Sequence, residues 1–198
     1  MTQNIYYVAS SLDGFIADAD NGIDWLLRFG FENFQEHYDG FLAGIGAIVM
    51  GSATYEFMLG ESAASPWPYA DLPTWVVSSR ELPSIDGANI SFVRGSVADF
   101  DTGVRESAGH RDVWIVGGGD VAAQYADAGL LDRMFVTVMP IVLGSGVPLL
   151  PVTSHTGVLA LESTTQFAPG AVGLAYAVTR PSVGADGVQA DAGEGVGG

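Results

Sequence analysis

Three short stretches combine small residues with groups able to hold a phosphate or move a proton. The longest is VWIVGGGDVAAQYADAGLLD, where an apolar run meets Gly117, Gly118 and Gly119 and then Asp120. A backbone without Cβ atoms can approach a diphosphate closely, and the N–H groups opening a following helix add partial positive charge. Adjacent glycines cost backbone entropy, so such a run needs a reason. The letters Gly117-x-Gly119-x-x-Ala122 satisfy a loose dinucleotide fingerprint, yet the acid expected about twenty residues later is missing from FVTVMPIV. A plain tight turn before a helix satisfies the same letters, and the spacing does not separate the two readings.

Ser78, Ser79 and Arg80 follow the apolar run TWVV. Two hydroxyls and a guanidinium at a strand end suit a phosphate monoester, and they equally suit a solvated turn. In SSLDGFIAD, Asp13 is a candidate proton donor or substrate acceptor; Asp-Gly is also ordinary turn chemistry. Asp24 sits beside Trp25, and desolvation by an indole raises a carboxyl pKa. Asp24 as a helix cap and Trp25 as core fit that pair as well. Metal and nucleophile chemistry find little support. His37, His110 and His155 are scattered, cysteine is absent, and no Gly-x-Ser-x-Gly elbow occurs.

Placing these groups together requires a sheet. Ile5–Ala9, AIVM before Gly51, TWVV before Ser78 and VWIV before Gly117 read as strands, the last three each ending at a small-residue turn. Helical spacing of Phe34, Tyr38, Phe41 and Leu42 marks a helix within Phe29–Leu42. Strands alternating with helices predict an α/β fold in three layers, with a mainly parallel twisted sheet and crossover helices. DRMFVTVMPIVLG, VLALESTTQF and VGLAYAVTR lie close together as strands, so antiparallel pairing is expected at the C-terminal end. In such sheets ligands bind beyond the carboxyl ends of the strands, which makes the turns at Gly51, Ser78 and Gly117 one candidate site. GESAASPWPYADLP reads as a long loop, with Trp67 and Tyr69 as anchors or pocket walls.

The chain has 198 residues and a formal net charge of −16, with arginine as its only strongly basic residue type. That length suits one domain over residues 1–180, followed by a disordered acidic Gly/Ala-rich tail over residues 181–198. A surface of that sign repels nucleic acid and anionic membranes, so neither is an expected partner, although the acidity also serves solubility alone. Any anionic ligand then depends on helix ends, backbone N–H groups and individual arginines. MTQNIYYVAS has neither the basic region nor the apolar core of a signal peptide, and a cytoplasmic location is expected.

In this order, IYYVASSLDGFIAD, AIVMGSATYEFM, TWVVSSR and VWIVGGGDVAAQYADAGLLDRMFVTVMPIVLGSGVPLL resemble the dihydrofolate reductase-like superfamily. The likeness is greatest to the C-terminal reductase domain of bifunctional riboflavin-biosynthesis deaminase-reductases. It spans residues 4–180 and lacks the zinc deaminase part, implying a stand-alone reductase. The resemblance implies NADPH as cofactor, with NADH left open, and hydride transfer to a small heterocyclic, carbonyl or imine substrate. It further implies that Ala9 and Ile16 border the nicotinamide. Gly51, Thr54, Gly117, Gly118, Gly119, Asp120 and Val121 would meet the diphosphate, with Gln124 near the cofactor. Ser78, Ser79 and Arg80 would hold the adenosine ribose and its 2′-phosphate. Asp13 is the implied catalytic or substrate-contacting residue, and Trp25, with Asp24, borders the substrate. Ser52 stands where many relatives carry Arg or Lys, and Phe15 where many carry a basic or polar residue. A ligand-binding protein without turnover and a true dihydrofolate reductase are the alternatives. Relatives pair through their sheets, so a homodimer is expected.

Overall fold

The computed structural model describes residues 1–62 and 67–179. The proposed tail at residues 181–198 lies outside the described residues, as does part of the expected loop before Trp67. Apolar runs build one sheet in the order β5 (Ile90–Val93), β4 (Thr74–Val77), β3 (Ile45–Gly51), β6 (Asp112–Val116), β1 (Asn4–Ser11), β7 (Arg133–Met139), β10 (Ala171–Val178), β9 (Leu159–Phe167). Neighbours from β5 through to β7 pair in parallel, while β10 runs antiparallel to both β7 and β9. The expected architecture, mainly parallel with antiparallel C-terminal strands, is therefore the observed one.

Burial on both faces explains why the inner strands read as continuous apolar runs. Along β3, alternate side chains point to opposite layers. Val49 joins Tyr6, Val113 and Ile115 against α4 (Val97–Ala108) and α5 (Gly119–Asp127). Ile48 and Met50 join Trp114 and Val76 against α3 (Ser52–Ser62) and α2 (Gln35–Ala43), where Trp67 is buried as an anchor. A third cluster, Trp25, Met139 and Ala171, packs with Ala9, Leu26 and Phe34 where α1 (Asp24–Leu27) meets the sheet.

Two sequence expectations need adjustment. The helix expected within Phe29–Leu42 begins only at Gln35. Gly30, with φ +67°, turns the chain out of α1, and residues 31–34 are bend and turn before α2 starts. The crossover expected between TWVV and VWIV carries a strand the apolar runs do not mark, β5, before its helix α4. This helix opens on a reciprocal cap in which the Ser96 side chain accepts from the first turn and Asp99 accepts from the Ser96 N–H. Among the described residues, no helix is long and apolar enough to cross a membrane.

Candidate active site

Parallel pairing brings the carboxyl ends of β4, β3, β6, β1 and β7 to one edge, in that order. With strands about 4.8 Å apart, this edge runs roughly 19 Å from the end of β4 to the end of β7. Every candidate turn lies along it. The Ser78–Arg80 turn follows β4, Gly51 ends β3, Gly117 follows β6 and Asp13 follows β1.

At the β1–β7 end lies a cavity of about 280 Å³, lined by Ala9, Leu26, Leu27, Phe31, Phe34, Thr137 and Met139 among others. Ala9 pairs in register with Thr137, and Ser11 with Met139, so two adjacent strands supply its floor. α1 and the turn after it supply its walls. None of these side chains titrates, and the Thr137 hydroxyl is the one polar side-chain group among those named. Trp25 is buried in the cluster that backs this cavity, and its indole N–H has no partner. Burying a donor without an acceptor costs about 1–3 kcal/mol, and this N–H is sealed within the cluster rather than open to the cavity. Asp24 opens α1 and is exposed, while the cap position itself falls to Ile23. Trp25 therefore joins the cavity region by packing, and Asp24 is not among the residues that line it.

In the middle of the edge, the turns after β3 and β6 face each other. Gly117 has φ +56° and Gly118 φ +76°, a left-handed region that side chains rarely adopt. A Cβ on Gly118 would stand 3.7 Å from Thr54 Oγ1 and 3.9 Å from the Gly51 nitrogen. The glycine turn, the Thr54 hydroxyl and the start of α3 thus surround one space, with the N-terminus of α5 opening beside it. Gly119 has a different job. A Cβ there would lie 2.4 Å from the Pro148 carbonyl oxygen, so the residue permits close packing of α5 on the following loop. Val121 is buried, with its Cγ2 3.2 Å from a Cβ built on Gly51. Asp120 and Gln124 are exposed on α5. Ile16 lies in β2 (Phe15–Ala17), which pairs with β8 (Val147–Pro148) in a separate small ribbon.

The far end of the edge carries the cation. Arg80 donates to both carboxylate oxygens of Glu56, at 3.0 and 2.6 Å, and to Ser52 Oγ at 3.3 Å. Ser52 and Glu56 are four residues apart on α3 and so share one helix face. The Ser78 hydroxyl is buried and closed on its own turn, accepting from the Arg80 N–H and donating to the Arg80 carbonyl. Ser79 is exposed beside it.

Asp13 proves to be a clamp. Its carboxylate accepts from the Ser11 hydroxyl at 2.7 Å and from the N–H groups of Leu143 and Gly144 at 3.0 and 2.7 Å. These donors, the Ser11 hydroxyl foremost, hold its pKa down to about 2 although the group is exposed. A carboxylate ionised so firmly does not supply a proton near neutral pH. Three donors favour the charged form, which suits the acceptor role among those its sequence allows.

Thr137, Phe31, Met139 and Glu56 complete the site and are not among the residues singled out from sequence, while Phe34 is marked there only as a helix position. Thr137 is a lone hydroxyl within the apolar run FVTVM, a signal that was present. For Glu56, only its position one helical turn after Ser52 could have drawn notice. Among the described residues, no group of three or more His, Asp or Glu side chains is placed to hold a metal ion.

A mostly parallel sheet with crossover helices, finished by antiparallel strands, is a dihydrofolate reductase-like α/β fold. Dihydrofolate reductase from Enterococcus faecalis shares that fold at a TM-score of 0.56 and 15% identity, covering 89% of this chain and 96% of that one. The chain belongs to the RibD C-terminal domain family, whose description matches residues 64–172. The protein YwjB of Bacillus subtilis, described as uncharacterized, is 30% identical over 83% of this chain and 92% of its own length. A structure described as a putative riboflavin biosynthesis protein from Shewanella sp. PV-4 superposes with a TM-score of 0.77 at 27% identity, covering 90% of this chain and all of that one.

Proposed function

We propose that this protein is a nicotinamide-dependent reductase that reduces a small, flat, largely apolar C=N or C=O compound. The observation carrying this reading is the convergence of two features on one sheet edge. One is a glycine turn facing a helix start, and the other is an apolar cavity with a single hydroxyl. Family membership supports a riboflavin-biosynthesis-reductase-like role at the level of class.

The residues fit such a cofactor. Gly117, Gly118, Gly51 and Thr54 enclose a space that a Cβ would fill, as a diphosphate seat requires. Ser52, Ser78, Ser79 and Arg80 stand beyond it for the adenosine ribose, and Ala9 lines the cavity for the nicotinamide. The bound cofactor supplies hydride. The chain's own residues do the rest: Ala9, Phe34 and Met139 exclude water from the reacting face, Thr137 offers a donor to the substrate heteroatom, and Trp25 backs the cavity by packing. Orienting the reactants in this way accounts for on the order of 7–11 kcal/mol in well-aligned systems. With Asp13 ionised, the proton that balances the hydride comes from water, and Asp13 acts by holding the 141–146 loop beside the cavity.

The cavity lining carries no cation, which favours a substrate without a phosphate group. The same absence of a titratable lining side chain favours one second reading, a ligand-binding protein without turnover. Titration with NADPH and with NADH, followed by tryptophan fluorescence, tests cofactor binding. Oxidation of the bound cofactor across a panel of aromatic carbonyl and imine compounds then separates reductase from binder. No binding of either nucleotide at millimolar concentration would refute the reductase reading.

A homodimer is part of the proposal. The sheet face bearing Val136, Val138, Leu159, Leu174 and Tyr176 carries a depression of about 250 Å³, with Leu12 and Leu161 exposed nearby on the chain. Sedimentation equilibrium at micromolar concentration distinguishes dimer from monomer.

A further inference from the structure

The guanidinium on which 2′-phosphate recognition would depend is already occupied. Glu56 binds the Arg80 fork through both carboxylate oxygens, and Ser52 takes a further N–H. Both groups of the pair are well exposed, at 58% and 42% of their side-chain surfaces, so solvent and salt screen it and an incoming anion can reach it. The pair lies on the sheet edge already described, one helical turn beyond Ser52. An arginine in this region of a dinucleotide site accommodates a 2′-phosphate, whereas a carboxylate suits a free ribose 2′-hydroxyl. Here both groups are present and satisfy each other.

We propose that Glu56 is a selectivity residue of the cofactor site, an internal anion that a 2′-phosphate must displace from Arg80. The inference rests on the nicotinamide-cofactor reading above. A phosphate monoester carries between one and two negative charges near neutral pH, and it would enter beside a carboxylate carrying one more. Two unit charges about 4 Å apart in water interact by roughly a fivefold factor in affinity. Glu56 therefore lowers affinity for NADPH by about that factor or more per phosphate charge. NADH, with a hydroxyl at the same place, meets an acceptor instead of a competitor. The chain thus narrows a preference that Arg80 alone would make large.

The test measures binding by calorimetry at low salt, for NADPH, NADH, 2′,5′-ADP and 5′-ADP, on wild type and on Glu56→Gln, Arg80→Ala and the double variant. Glutamine keeps the shape of Glu56 and removes its charge at an exposed position, and thermal melting checks that each variant is folded. Glu56→Gln is expected to tighten NADPH and 2′,5′-ADP fivefold or more while leaving NADH and 5′-ADP within twofold. The gain should shrink in half-molar salt and vanish when Arg80 is also absent. Unchanged or weaker NADPH binding in Glu56→Gln overturns the inference, as does an equal gain for NADH or a full gain without Arg80. Those three results leave the cofactor reading intact. If no nucleotide binds wild type or any variant, the cofactor reading falls and takes this inference with it.

Discussion

Replacing Gly118 by alanine separates backbone strain from ligand exclusion, because a second glycine supplies the control. Gly118 has φ +76° and Gly87 has φ +80°, so both pay the left-handed penalty when given a side chain. That penalty is about 1–2 kcal/mol. For a chain of this size it lowers Tm by roughly 2–8 °C in either variant. The surroundings differ. A Cβ at Gly87 meets nothing within 4 Å, and the residue precedes β5 at the opposite edge of the sheet. At Gly118 the new methyl stands 3.7 Å from Thr54 Oγ1 and 3.9 Å from the Gly51 nitrogen, inside the space assigned to the diphosphate. Losing one charge-assisted hydrogen bond there is worth about 1.5–3 kcal/mol. Gly118→Ala is therefore expected to weaken NADPH and NADH alike by roughly 10- to 100-fold, with Gly87→Ala binding as wild type. Differential scanning calorimetry gives the stability arm and fluorescence titration the binding arm. Equal cofactor affinity in the two variants would refute the assignment of the glycine turn as the diphosphate seat.

Three further outcomes follow from the same geometry. Arg80→Ala should weaken NADPH much more than NADH in equilibrium titrations; equal losses would remove Arg80 from 2′-phosphate recognition. Asp13 has its pKa lowered from 3.8 to about 2, so its contribution to stability is full above about pH 4 and is lost as pH falls toward 2. Asp13→Asn should lack that acid-limb dependence in urea melts and should speed amide exchange at Leu143 and Gly144, and an unchanged exchange rate would show that the clamp is dispensable. Trp25→Phe removes a buried donor that has no partner, so the expected stability loss is below about 1.5 kcal/mol while KM for substrate rises. A large loss of stability with unchanged KM would make Trp25 core and nothing more.

The strands were legible because burial on both faces makes β3, β4 and β6 continuous apolar runs, each closed by a small residue. Their adjacency followed from the rule that parallel strands place their turns on one edge. Helix α4 carried its own signals in Ser96, Asp99 and the spacing of Val97, Phe100 and Val104. The site was legible where it depends on backbone, as at Gly117 and Gly118, whose conformation admits few alternatives to glycine. It was not legible where it depends on contacts between distant segments. Asp13 meets the amides of Leu143 and Gly144 across more than a hundred residues, and Arg80 meets Glu56 on another element. Residue type alone gives no hint of such partners, so an acid at a strand end reads as a proton donor until its donors are seen.

The closeness of Gly119 to the Pro148 carbonyl bears on how a substrate gets in. Pro148 stands opposite Phe15 in the small ribbon, and the Leu149 N–H donates to the Gly14 carbonyl. The ribbon bearing Ile16 and the start of α5 are thus stitched through one segment, and neither can shift without the other. On the proposed reading, the diphosphate side of the cleft is then a fixed jaw. On the other side, Leu27 and Phe31 keep 63% and 49% of their surface in water while lining the cavity. On the proposed reading, a substrate enters and leaves past these two side chains, with the turn after α1 as the threshold and the glycine side as the anvil.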